Sequence, residues 1–154
     1  MRRRIQEPRT QPSRPRSSAG ALSRNEYEKL AEFRYQLARF LRRRKDAARE
    51  EGLQAQQYEL LLAVAGLPEE KEPTIKEIAA QLRLEHHTVV ELANRLEKQG
   101  YLVRAGSKLD GRAVLLELTR PGRAALDRIV RFSFSQLRDE APALIRSLRR
   151  ILRS

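Results

Sequence analysis

Cysteine and tryptophan are absent from this 154-residue chain, methionine occurs once, and aromatic residues make up only 5% of it. Without cysteine there is no disulfide framework, no thiolate metal site and no thiol redox switch. No apolar run approaches the ~20 residues needed to cross a bilayer, and the amino terminus lacks the apolar stretch of a secretory signal. A cytoplasmic protein without a membrane partner is expected. The two histidines, His86 and His87, are adjacent. On a helix they diverge by ~100° and cannot share an ion, so no metal site is expected. There is also no glycine-rich phosphate loop, no Ser paired with a His base and no carboxylate pair in a cleft motif. The residues offer neither catalysis nor a cofactor.

What the chain does have is positive charge: 32 Lys and Arg against 20 Asp and Glu, a net +12. That balance points to a polyanionic partner, nucleic acid first and an anionic membrane surface second. Only six of the basic residues are Lys, and such a preference for Arg also arises from codon bias. Half of the charge sits at the amino end, where residues 1–25 hold seven Arg and one Glu. Residues 1–22 combine Arg with Pro, Ser and Gly and have little apolar surface to offset the entropy of ordering, so they read as a disordered tail. Composition leaves two roles open for that tail, an arm that touches DNA and a solvated spacer.

From residue 23 onward the pattern is that of one folded domain, mainly α with a small β-hairpin (α+β). Ser23-Arg24-Asn25-Glu26 is a capping box. It opens a helix whose Tyr27, Leu30, Phe33, Leu37, Phe40 and Leu41 make one apolar stripe ending before Gly52. A second helix spans about Ala55 to Ala65, with Tyr58, Leu61, Leu62 and Ala65 inward, and a charged, exposed loop runs from Pro68 to Pro73. Thr74-Ile75-Lys76-Glu77 caps a short third helix with Ile78, Ala79 and Leu82 inward. After a turn at Arg83 to Glu85 comes a fourth, with Val89, Leu92, Ala93 and Leu96 buried and Gly100 as a left-handed cap. Two helices joined by so short a turn make a helix-turn-helix. Tyr101–Ala105 and Ala113–Leu118 read as strands around a tip containing Gly106 and Gly111, with Val114, Leu116 and Leu118 alternating along the second. Thr119 caps the next helix, which Ala141-Pro142 interrupts, and a short last helix carries Leu144, Ile145, Leu148, Ile151 and Leu152.

In this order the elements resemble the MarR (multiple-antibiotic-resistance regulator) family of winged-helix transcription regulators. The motifs that carry the resemblance are Ile78-Ala79 before the second helix of the helix-turn-helix, the run from Arg95 to Arg104, Asp110-x-Arg112, and Leu118-Thr119-x-x-Gly122. His86-His87 looks like a branch with paired histidines at that helix's start. The chain departs from the common pattern at Val90 and Glu91, where many members hold a small polar and a basic residue. It departs again at Arg83, which stands where many hold Gly in the turn; the turn is expected to adapt to it.

The resemblance implies a homodimer in which 23–52 and 119–154 form the dimerisation helices and 53–118 the winged helix-turn-helix. It also implies that the fourth helix enters the major groove and that Arg112 enters the minor groove with Asp110 holding its guanidinium. Chemistry agrees: Asn94 can pair with adenine, Arg95 with guanine or phosphate, and His86, His87 and Thr88 with bases or phosphates at the positive end of the helix. Val90, Glu91 and Lys98 share that face, while Arg104 and Lys108 charge the wing edge. A competing use of Arg95 is an ion pair with Glu91 at i,i+4. The reading that results is a repressor bound to double-stranded DNA at an inverted repeat, with a small-molecule effector between its lobes. The alternatives are a winged-helix protein-interaction module and an architectural binder that reads no sequence.

Overall fold

The computed structural model describes residues 21–107 and 111–153. Most of the expected tail, together with Lys108 and Asp110, lies outside them. The elements run α1 (Arg24–Glu50), α2 (Ala55–Ala65), α3 (Ile75–Leu82), α4 (His86–Lys98), β1 (Leu102–Gly106), β2 (Val114–Leu118) and α5 (Arg120–Leu152).

Ser23 caps α1 as its sequence predicts: its side chain accepts from the Glu26 backbone N–H, and the Glu26 carboxylate accepts from the Ser23 N–H at 2.7 Å. Those bonds hold the Glu26 carboxyl below the usual carboxylate range. Thr74 and Thr119 cap α3 and α5 in the same way, through the N–H groups of Glu77 and Gly122. At their carboxyl ends α1, α3 and α4 close with paired 6→1 and 5→2 backbone bonds, with Gly52, Arg83 and Gly100 in the left-handed position. The turn does not adapt to Arg83. This residue takes φ 54° and ψ 42° itself, a conformation that costs an L-residue about 1–2 kcal/mol where Gly would be unstrained.

The core gathers under the helix-turn-helix. Leu60 and Leu61 of α2, Ile78 of α3, Val89 and Leu96 of α4, Leu102 of β1, Leu116 of β2 and Leu126 and Ile129 of α5 are all buried, with Ala47 and Ala48 closing it from the end of α1. On α4 the buried residues are the four that periodicity selects, Val89, Leu92, Ala93 and Leu96. On α2 the inward face is rotated: Leu60 is buried and Leu62 exposed, because α3, α4 and β2 wrap α2 on one side and α1 and α5 on another. Val114 is also exposed, lying beyond the sheet's covered end, so only Leu116 and Leu118 of its alternating set turn to the core.

Two expectations are corrected by larger features. The first concerns Ala141-Pro142, which does not end a helix: α5 continues through Pro142 to Leu152. Proline lacks the N–H that would bond to the Arg138 carbonyl, but Pro142 is exposed, where water can take that bond, and α5 is held along its length by α1. The second concerns the loop Pro68 to Pro73, whose end is part of the sheet. β1 and β2 pair antiparallel with Leu102 opposite Leu118 and Gly106 opposite Val114. Thr74 then bridges Leu115, and the Leu116 N–H donates to the Pro73 carbonyl at 2.9 Å. Glu72 is half-buried and accepts from the Ser107 hydroxyl at 2.8 Å.

Beyond the core α1 and α5 pair lengthwise, and the seam between them is polar. Ser133, Gln136, Glu140 and Ser147 are buried on one face of α5. Glu140 receives Arg39 Nε at 3.3 Å and Arg43 Nη1 at 3.1 Å. The apolar stripes predicted for these helices are therefore only partly used within one chain: Phe40 is buried, but Tyr27, Leu30, Leu41, Ile145, Leu148 and Leu152 are exposed.

Candidate nucleic-acid interface

α4 offers the solvent a face built from the side opposite its core residues. His86, His87, Glu91, Asn94, Arg95 and Lys98 are exposed, and Thr88 and Val90 half-buried. All eight residues proposed from sequence for this helix thus lie outside the core stripe. Its first-turn N–H groups carry the positive end of the helix dipole, and no side chain caps them, since Glu85 at the N-cap makes no side-chain bond. Arg95 and Glu91 form no ion pair; the described ion pairs involve other residues.

The wing's contribution is divided. Arg112 is exposed at the far end of the hairpin from the Leu102–Leu118 pair, next to the tip. Lys108 and Asp110 fall outside the described residues. Arg104 is used differently from a free edge charge: its guanidinium donates to the Glu97 carboxylate and, through Nη2, to Asn94 Oδ1 at 2.8 Å. This ties β1 to α4. Only the position of Arg104 on a strand following α4 was visible beforehand; the pairing depends on how the hairpin folds back.

A network at the carboxyl end of α4 was also missed, because it is made of neutral amides. Gln57 Nε2 donates to Gln99 Oε1 at 2.9 Å, and Gln99 Nε2 donates to the Gly52 carbonyl at 3.3 Å. Beside it Arg128 of α5 makes a two-pronged pair with Glu51 at 2.8 and 2.6 Å. The Arg128 hydrogen bond holds the Glu51 carboxyl below the usual range. The α1–α2 turn, the end of α4 and α5 are thereby joined.

One cavity of ≈ 420 Å³ opens between α1, α2 and α5, lined by Leu41, Arg44, Tyr58, Leu62, Phe134 and Leu137 among others. Arg44 lies 3.3 Å from the centre of the Phe40 ring, and burial pushes its pKa down.

With a short-turned helix pair, an exposed α4 face and a hairpin tied beside it, the decisive comparison is with family patterns: residues 51–113 match that of the MarR family. Over those residues the chain is similar to the MarR family. The organic hydroperoxide resistance transcriptional regulator of Bacillus subtilis (strain 168) is 34% identical over 73 residues, 47% of this chain and 50% of that protein. The alignment therefore spans about half the length of this curated relative. Among solved structures the MarR fold extends further. AbsC, a MarR family transcriptional regulator from Streptomyces coelicolor, superposes with a TM-score of 0.66 over 79% of this chain and 82% of its own, at 15% identity. CouR from Rhodococcus jostii RHA1, solved with p-coumaroyl-CoA, gives 0.63 over 75% and 80%, at 21% identity. A MepR variant from S. aureus, solved with an oligodeoxyribonucleotide, gives 0.61 over 73% and 79%, at 19% identity.

Proposed function

We propose that this chain is a sequence-specific DNA-binding transcription regulator that acts as a homodimer on an inverted-repeat operator. The observation that carries the reading is the α4 face: an exposed, uncapped helix start followed by His87, Asn94, Arg95 and Lys98 on one side, with the Arg112 wing beside it. Such a helix suits the major groove, and an Arg at a hairpin tip suits the negative potential of a narrow minor groove. Through the resemblance, Asp110, two residues away, is the residue expected to orient the Arg112 guanidinium. Two-fold symmetry sets two such heads on half-sites about one helical turn, ~10 bp, apart. A dimer so bound covers a promoter and represses it.

Relief of repression by a small molecule fits the cavity between α1, α2 and α5. Apolar walls with one cation, Arg44, and one carboxylate, Glu59, suit an amphipathic organic molecule. Occupying that space alters the packing of α2, which carries the winged helix, against α1 and α5, which set subunit spacing.

The test is selection of bound fragments from a genomic library, followed by competition with random duplex. Specific regulators hold their site roughly 10³-fold or more tighter than random sequence. Arg112→Ala and Arg95→Ala are each expected to weaken operator binding by about 1–3 kcal/mol, and Asp110→Ala by less. Equal affinity for every duplex would instead identify an architectural binder, and no duplex binding at all a protein-interaction module.

A further inference from the structure

Asn94 and Arg104 meet where the wing joins α4. Asn94 is exposed on the outer face of the helix, and Arg104 stands on β1, opposite Leu116. The guanidinium is fixed by Glu97, three residues beyond Asn94 on the same helix, and its Nη2 donates to Asn94 Oδ1 at 2.8 Å. This settles which way the Asn94 amide faces. A flipped amide would set the donor Nδ2 against a cation that can only donate. Oδ1 is therefore held toward Arg104 and Nδ2 turned away from it.

That orientation has a consequence for base reading. Recognition of adenine by an Asn uses both ends of the amide: the oxygen accepts from N6 and the nitrogen donates to N7. Here the oxygen already accepts from a charged donor, and an adenine amino group brought to it would meet that cation. Guanine presents two acceptors, N7 and O6, on the same edge. Asn94 Nδ2 can donate to N7, and the guanidinium, with two of its five donors used, can reach O6. We infer that Asn94, held by Arg104, selects guanine rather than adenine at one base pair of each half-site. This rests on the DNA-binding reading above.

Selection from a randomised duplex pool, run with the wild-type chain and with Asn94→Ala, identifies the base pair whose preference Asn94 sets. Guanine is expected there, and 7-deazaguanine at that position should weaken wild-type binding on the order of tenfold to a hundredfold while leaving Asn94→Ala unaffected. Arg104→Met removes the cation, so the preference at that pair should move toward adenine. The modified-base measurement does not use Arg104→Met and stands if that variant does not fold. Adenine at that pair, indifference of the wild type to 7-deazaguanine, or no pair relaxed by Asn94→Ala would overturn the inference while leaving DNA binding intact. A wild-type chain that enriches no duplex would overturn the DNA-binding reading and this inference with it.

Discussion

Gly122, in the first turn of α5, lies directly against the backbone of Tyr101: a Cβ added to it would stand 2.8 Å from the Tyr101 carbonyl carbon and closer still to the oxygen. The same corner is closed by the Thr119 N–H donating to the Tyr101 carbonyl at 3.1 Å and the Thr119 hydroxyl donating to the Gly100 carbonyl at 2.6 Å. The obstacle is backbone, which cannot swing aside as a side chain would. Gly122→Ala is expected to destabilise the fold by about 1–3 kcal/mol, read as a lower urea midpoint at unchanged protein concentration.

Glu140 leads to an asymmetric expectation. It is buried, with one carboxylate oxygen left without a partner, while Arg39 and Arg43 are half exposed. Replacing both Arg by Met leaves the carboxylate buried and uncompensated, at a cost of about 3–5 kcal/mol. Replacing Glu140 by Met leaves two solvated cations and is expected to cost less than ~1 kcal/mol or to stabilise. Equal losses in the two denaturation experiments would show that the pair is not governed by desolvation.

The Glu51–Arg128 pair makes stability depend on pH in a defined direction. The folded-state pKa of Glu51 is lowered, chiefly by the Arg128 hydrogen bond. The unfolded chain therefore takes up a proton first, and the pair's contribution is fully present above about pH 4.3 and lost as pH falls through the folded value. Arg128→Ala should be less stable than wild type at pH 7, with the gap narrowing below pH ~4. A gap that persists into acid would assign the loss to packing instead.

The ends of α1 and α5 expose Tyr27, Leu30, Ile145, Leu148 and Leu152 near one another in the paired helices, and a small apolar cavity lies between Leu22, Tyr27, Leu30 and Ile151. Contiguous apolar surface of this kind is expected to be covered by a second copy. Light scattering at micromolar concentration should give a dimer mass, and Leu30→Arg combined with Leu148→Arg should shift it to the monomer. A monomeric wild type would contradict the arrangement.

Legibility in the sequence followed the kind of interaction. Positions decided by local periodicity or capping were readable: the four buried residues of α4, the caps at Ser23, Thr74 and Thr119, and the extent of α2 all appear where spacing puts them. Positions decided by partners distant in sequence were not. Nothing near Pro142 announces that α1 will support the helix through it, and nothing near Leu62 tells which side of α2 is wrapped. Ser133, Gln136 and Glu140 are polar residues at core spacing and give no apolar signal, and the Arg39 and Arg43 that meet Glu140 lie about a hundred residues earlier. At the interface, the outward set on α4 was legible because it is the complement of the buried one. The bond from Arg104 to Asn94 was not, since it exists only once a hairpin returns to its helix.

The hairpin is clamped along both margins, by Arg104 to α4 on one and by Glu72, Pro73 and Thr74 on the other. These bonds make it the fixed prong of a gauge rather than a flap, with β1 and β2 tied at a set distance from α4. An adjustment of the molecule to a longer or shorter span is then expected where α1 and α5 leave the core, away from the clamped strands.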